Sequence, residues 1–412
     1  MLLDLLGNLS FWKHVSIPFV AGFVGWVTNW VAIRMTFRPL EFRGWRPIFG
    51  WQGIIPSKAG KMAEIFVDST MHRLGSFSEA FREMEPAVMA RQIRDTVDPH
   101  LERYTDEVLL VGRQAWIWRS MPELMRQRIY ARVRSQLSYL VDELMAEVSE
   151  RIEELVDFKH MLVEQLTQDK DLLNRLFLEA GSKEFRFIVR SGFYFGFLFG
   201  LFQLSVWVFY KAWWVLPIFG LIVGYATNWI ALNIIFRPLF PKRIGPWTVQ
   251  GLFLKRQVEV AAIWCRLVTS EILTIRNIMR AMLEGPRADR AQRMIRRHVE
   301  SIADEAVGLL QPAARLAVGD DEYDEIKERI GDKAVAVSGD PFDDWEFSGG
   351  RAARLEHLLR ERMESLPPDE FQDLLRPCFQ EDEMKLILVG AALGFVAGLA
   401  QLFLVFGGVT GI

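Results

Sequence analysis

Histidine and cysteine are scarce in this chain, and neither falls in a pattern that chemistry uses. The six histidines, at 14, 72, 100, 160, 298 and 357, show no His-Glu-x-x-His and no paired-ligand spacing. The two cysteines, Cys265 and Cys378, are too few and too far apart for a disulfide framework. They read as thiols in a reducing compartment. No phosphate-binding glycine loop and no nucleophile elbow is present. The net charge of -3 excludes the global basic field of a nucleic-acid partner. Alternating strand patterns are nearly absent. No catalytic, cofactor or metal site is therefore expected, and the chain reads as non-enzymatic.

Two acidic stretches break the helical pattern, GDDEYDEIKE from Gly319 and SGDPFDDWEFSGG from Ser338. Their aspartates at 320, 321, 340, 343 and 344 lack the glycine-centred, glutamate-ended spacing of an EF-hand. Both read as solvated loops.

What the chain has is long apolar runs. A hydrocarbon core of roughly 30 Å needs about 20 apolar residues as a helix. Four stretches qualify: 16–37, 191–210, 212–236 and 386–406. The start MLLDLLGNLS carries Asp4 and no basic segment, so the first run reads as a retained span and not as a signal peptide. The abundant Trp and Phe in and beside these runs fit aromatic belts at a membrane interface.

Positive charge sets the orientation. Arg38, Arg43 and Arg46 follow the first span, and Lys183, Arg186 and Arg190 precede the second. Arg237, Lys242 and Arg243 follow the third, and Lys385 precedes the fourth. The opposite side has only Lys13, His14 and Lys211. Both long segments, 38–187 and 237–385, are expected in the cytoplasm, with both termini outside.

The chain also repeats itself. GWVTNWVAIRMTFRPL from Gly25 matches GYATNWIALNIIFRPL from Gly224, an offset of 199 (224 − 25). Gln52-Gly53 recurs as Gln250-Gly251, and GFLFGLFQL from Gly196 recurs as GFVAGLAQL from Gly394, now at 198 (394 − 196). Equivalent spans run the same way, so the repeat is parallel, with a pseudo-two-fold axis along the membrane normal. The expected fold is an all-α integral membrane protein. Four transmembrane helices form two tandem parallel repeats, each with a long helical cytoplasmic domain.

These motifs, with the Q-G-[IL] segment and the acidic entry Glu381-Asp382-Glu383-Met384-Lys385-Leu386, resemble the bacterial membrane-protein family of domain of unknown function 445. The resemblance covers essentially the whole chain and implies a bacterial inner-membrane protein of unresolved role. It carries no catalytic residues to transfer. Within the repeat, Asn233 stands where the first copy has Arg34.

Thr28-Asn29-Trp30 and Thr227-Asn228-Trp229 fall near mid-membrane, where a carboxamide needs a partner. Gly22, Gly25, Asn29, Ala32 and Thr36 share one helix face. The Asn-bearing helices are expected to pack, against each other at the pseudo-axis; alternatively, Asn and Thr line a polar path. The ladders Gly192-Gly196-Gly200 and Gly390-Gly394-Gly398 read as packing faces, with Gln203 and Gln401 as polar groups between helices. Arg38, Arg43, Arg46, Arg237, Lys242 and Arg243 are candidate contacts to anionic lipid headgroups, interleaved with aromatics on the membrane surface.

Leu137, Val141, Leu144, Val148, Ile152 and Leu155 recur three or four apart, which predicts a long amphipathic helix. Such stripes serve as core, or as faces for self-association or protein partners. The expected role is a membrane-anchored scaffold with paired helical cytoplasmic domains. The alternative is a lipid-handling or transport protein that uses the Thr-Asn-Trp motifs and the basic-aromatic headgroup sites.

Overall fold

The apolar runs form four helices long and apolar enough to cross a membrane. In this computed structural model, which describes residues 9–45, 49–112, 115–210, 212–307, 315–316, 318–342 and 345–404, they lie in helices α1 (Leu9–Phe37), α2 (Ser182–Phe209), α3 (Val215–Phe236) and α4 (Pro368–Leu404). The apolar spans within them are His14–Phe37, Ser182–Phe209, Val215–Phe236 and Glu383–Leu404. Lys183, Arg186 and Arg190 therefore sit in the opening turns of α2 and not in a loop before it. Residues 405–406 of the expected last run, and Lys211 between the middle two, lie outside the described residues.

The chain divides into two compact units, Met1–Arg73 with Val163–Trp264 and Arg362–Ile412, and Leu74–Leu162 with Cys265–Glu361. In the first unit, α1 packs antiparallel on α2 and α3 packs antiparallel on α4. Side by side on α1 and α2, Gly25 meets Gly192, Ala21 and Gly22 meet Gly196, and Pro18 meets Gly200. On α3 and α4, Gly224 meets Gly390, Gly220 meets Gly394, and Leu216 and Pro217 meet Gly398. At Gly25 and Gly224 a Cβ would run into the facing carbonyl oxygen of Gly192 and Gly390. Lipid tails are as apolar as leucine, so close backbone approach drives such contacts more than burial does. At the end of the bundle far from Phe37 and Phe236, all four helices close on one apolar cluster of Ile17, Trp207, Val215, Leu216 and Leu402.

The prediction of helices throughout misses two short antiparallel hairpins. β1 (Arg43–Trp45) pairs with β2 (Phe49–Trp51), and β3 (Lys242–Ile244) pairs with β4 (Trp247–Val249). Strands of three residues are too short to show a period of two. The second hairpin turns on Gly245 and Pro246. Gly245 supplies φ +62 at the first central position, and proline holds the second near −65°, the geometry of a type II′ turn.

The second unit is helical among its described residues, apart from turns. Its longest helix, Glu123–Leu155, follows the predicted stripe and buries Val141, Met145, Val148, Ile152 and Leu155. Ile278, Met282, Ile295 and Phe342 of the same unit are buried as well. Asp106 accepts from Trp118 Nε1 at 2.8 Å and from Tyr130 Oη at 2.5 Å. Burial, then the Asp106 bond, pushes the Tyr130 phenol well above its usual range. Glu147 collects Arg151 and Arg297 at 2.9 and 2.8 Å. Burial pushes its carboxyl up, but the arginine hydrogen bonds outweigh it and hold the carboxyl below its ordinary value.

The acidic stretch at Gly319 is not a loop. Gly319, with φ +98, caps helix Asp320–Val337, and Asp320, Asp321 and Glu322 form its first turn. Carboxylates there are favoured by the amide dipoles of the helix start, so the acidic run marks a beginning and not a break. Asp340–Phe342 forms a 3₁₀ turn, and Trp345 opens the helix Trp345–Ser365. Asp343 and Asp344 lie outside the described residues. Cys265 is fully buried; the Cys378 side chain lies outside the described residues.

Candidate functional site

Asn29 is fully buried on α1, and its Nδ2 donates to the Ile188 carbonyl of α2 at 2.7 Å. Asn228 on α3 donates to the Leu386 carbonyl of α4 at 3.1 Å. The two asparagines do not meet at a common axis. Each is spent on the helix packed against its own, α2 for Asn29 and α4 for Asn228, because the glycine ladders bring those backbones within reach of a short amide. The Oδ1 of Asn29 has no partner among the described residues. Thr28 and Thr227 turn their hydroxyls onto their own helices, to Gly25 O at 3.2 Å and Gly224 O at 3.5 Å. Trp30 and Trp229 face outward. In the first copy Arg34 lies 5.3 Å over the Trp30 ring, a cation–π contact. Gln203 and Gln401 are both buried.

The Phe-Arg-Pro-Leu segments end α1 and α3, and both Arg-Pro bonds are cis. Each hairpin then folds back on the helix end it left. Gly53 N donates to Pro39 O at 2.9 Å, and Gln52 Nε2 to Leu40 O at 2.7 Å. Gly251 N donates to Pro238 O at 3.0 Å, and Gln250 Nε2 to Leu239 O at 3.1 Å. Arg38 and Arg237 are exposed at these ends, as are Arg43 on β1 and Lys242 and Arg243 on β3. Trp45, beside Arg43, is 86% exposed. Arg46 lies outside the described residues.

Three features escaped the sequence reading. Asn174 Nδ2 donates to the Phe37 carbonyl at 2.7 Å, satisfying one of the orphan acceptors of a helix end. With its amide turned to suit both neighbours, Gln372 does the same for Phe236 O at 2.9 Å and accepts from Arg376 Nη1 at 2.9 Å. The repeat offset, 198 (372 − 174), links these two amides and could have found them. Third, Glu184, only 4% exposed, takes Arg256 Nη1 at 2.6 Å on both oxygens. Arg256 also reaches Glu259 at 2.9 Å. Hydrogen bonds from Arg256, then Lys183, hold the Glu259 carboxyl down to about 2.

Between these helix ends lies a small apolar cavity of about 60 Å³, room for a few waters. Ile33, Phe37, Phe185, Leu232 and Phe236 line it, with Glu184 and Arg376 at its edge. Among the described residues no three His, Cys, Asp or Glu side chains gather to hold a metal ion. The geometry buries amides between helices and presents cations beside apolar helix faces.

No family model matches the chain, and no solved structure matches it. It is similar to a UPF0754 membrane protein of Synechococcus sp. (strain JA-2-3B'a(2-13)), 30% identical over 90 residues, which are 20% of this chain and 21% of that protein. It is also similar to a UPF0754 protein of Alkalihalophilus pseudofirmus, 38% identical over 68 residues, 15% of this chain and 18% of that one. The matched region thus spans about a fifth of the length of each relative. With four apolar helices and these relatives, the chain is a helical membrane protein similar to uncharacterised bacterial membrane proteins.

Proposed function

We propose that the chain is a non-enzymatic scaffold of the bacterial inner membrane, the location that the resemblance to domain of unknown function 445 implies. Four spans anchor two helical segments, 38–187 and 237–385, on the cytoplasmic side, with both termini outside. The basic residues that flank the spans on one side support that orientation. The spans form two parallel copies, supported by the matching glycine contacts and matching asparagine bonds. Protein partners or a second copy engage the helical segments.

The observation that carries this reading is the use made of the mid-helix polar groups. Asn29 and Asn228 each donate across a helix contact, and Thr28 and Thr227 bond within their own helices. These groups serve packing, and a polar path along them has no support. Most of the charged and amphipathic sequence builds helices outside the spans.

Complementation of a chromosomal deletion tests this. A chain with Asn29→Leu and Asn228→Leu that still inserts should restore function. A chain that inserts but lacks 74–162 and 265–361 should not. The reverse pattern would reject the scaffold and favour transport along the asparagine motifs.

A further inference from the structure

The two copies differ at the Phe-Arg-Pro-Leu end of the opening helix. In the second copy this end carries an open groove of about 680 Å³, within the range of small-ligand sites. Trp229, Ile230 and Ile234 of α3 form its apolar wall, and Arg237, Lys242 and Arg376 its basic end. Among the described residues none of these three cations has a carboxylate partner. Arg376 is held in place by Gln372 and lies 5.7 Å from the Phe236 ring centre.

Three exchanges between the copies open this groove and set its charge. First, Arg34 stretches over Trp30, whereas the shorter Asn233 at the matching position folds back on the Trp229 carbonyl at 2.8 Å and leaves the space clear. Second, Glu41, paired with Lys170 at 2.8 Å, is replaced by Phe240, which removes a negative charge and adds an apolar one-sided wall. Third, Leu178 is replaced by Arg376. The first exchange clears space along the wall at the loss of one cation, and the second and third each shift the local charge towards positive, so together they favour an amphiphile with a negative head.

We infer that this groove binds the phosphodiester headgroup of one anionic glycerophospholipid, from the leaflet at that end of α3, with an acyl chain along Trp229, Ile230 and Ile234. The basic end matches a phosphate, and the wall continues onto the exposed face of a membrane-spanning helix. A soluble anion would use the cations and leave that wall bare. At the equivalent end of the first copy Arg34 lies over Trp30, and Glu41 puts a negative charge where Phe240 stands in the second. The inference goes beyond the scaffold reading and does not depend on it.

The test is reconstitution in bilayers of phosphatidylethanolamine and phosphatidylglycerol, followed by gentle extraction and mass spectrometry of retained lipid. The intact chain should hold phosphatidylglycerol above its bulk share. Arg237→Gln with Lys242→Gln should lower that enrichment about fivefold or more, given the attraction of each basic group to an anionic surface. Arg38→Gln with Arg43→Gln should leave it unchanged. Phe240→Glu, which restores the charge of the first copy at an exposed position, should lower it as well. Equal loss from both arginine-containing pairs would reduce the effect to a general basic belt and overturn the site. So would absence of enrichment in the intact chain, or displacement of the lipid by inorganic phosphate alone.

Discussion

The side-chain amide of Asn29 reaches 159 residues along the sequence to the Ile188 carbonyl, at 2.7 Å, and Asn228 reaches Leu386 in the same way. Each bond crosses a contact at which a glycine faces a glycine. The carbonyl of Ile188 lies at a helix position where its oxygen normally serves only its own helix, so the amide gives that oxygen a second donor, from the facing helix, that fixes the register of the pair.

Removing these bonds should cost little. Interhelical hydrogen bonds in membranes contribute about 0.6 kcal/mol on average and up to about 1.7. Asn29→Leu and Asn228→Leu should each lower stability by roughly that much in unfolding titrations with denaturing detergent. A loss several times larger would mean that the amides organise more than helix register.

The glycine contacts should be far less tolerant. Gly25→Ala places a methyl group against the backbone oxygen of Gly192, which has no rotamer to give way. The helices must part, at a cost of about 1–3 kcal/mol. Gly60→Ala in the helix Ala59–Leu74 is the control. Its Cβ would lie 3.7 Å from the Thr167 hydroxyl, so the helix preference of alanine should make it neutral or stabilising by up to about 1 kcal/mol. Thermal melting of the two variants in the same detergent checks the contrast.

The Glu184–Arg256 pair should show strong coupling. Arg256→Leu leaves a buried carboxylate uncompensated, a loss of about 3–5 kcal/mol. Glu184→Leu with Arg256→Leu removes both charges and should recover much of that. A double-mutant cycle measures the coupling; additive losses would show that the pair is not desolvated in the folded chain.

Acid should weaken the first unit through Glu259. Its folded value lies near 2, below the ordinary 4.5. The unfolded chain therefore binds more protons between those values, and stability rises with pH there. The contribution is fully present above pH 4.5 and fades as pH falls towards 2. Melting curves across that window should show a shallower acid decline for Glu259→Gln than for the unchanged chain.

Much of the fold is legible in the sequence, for identifiable reasons. Span length is fixed by bilayer thickness, so the four apolar runs announce α1, α2, α3 and α4 without tertiary information. The period of 3.6 likewise reveals Glu123–Leu155. The hairpins were hidden because three residues carry no period, and the acidic run at Gly319 misled because the same carboxylates suit a loop or a helix start. The candidate site divides in the same way. Arg237 and Lys242 are visible as basic residues after a span, while Arg376, more than a hundred residues later, is brought to them only by folding.

The sequence alone determined which segments are apolar enough to enter a membrane, that two stretches of the chain share motifs, and which small and polar residues recur in them. Those are properties of neighbouring residues and of composition. Tertiary structure decided the pairing: that Asn29 serves α2 and not α3, that Asn174 and Gln372 close the ends of helices far from them in sequence, and that Arg376 joins Arg237 and Lys242 at one open groove. Those outcomes depend on the reach of one side chain to a distant backbone, within a few tenths of an ångström, and no local pattern encodes that distance.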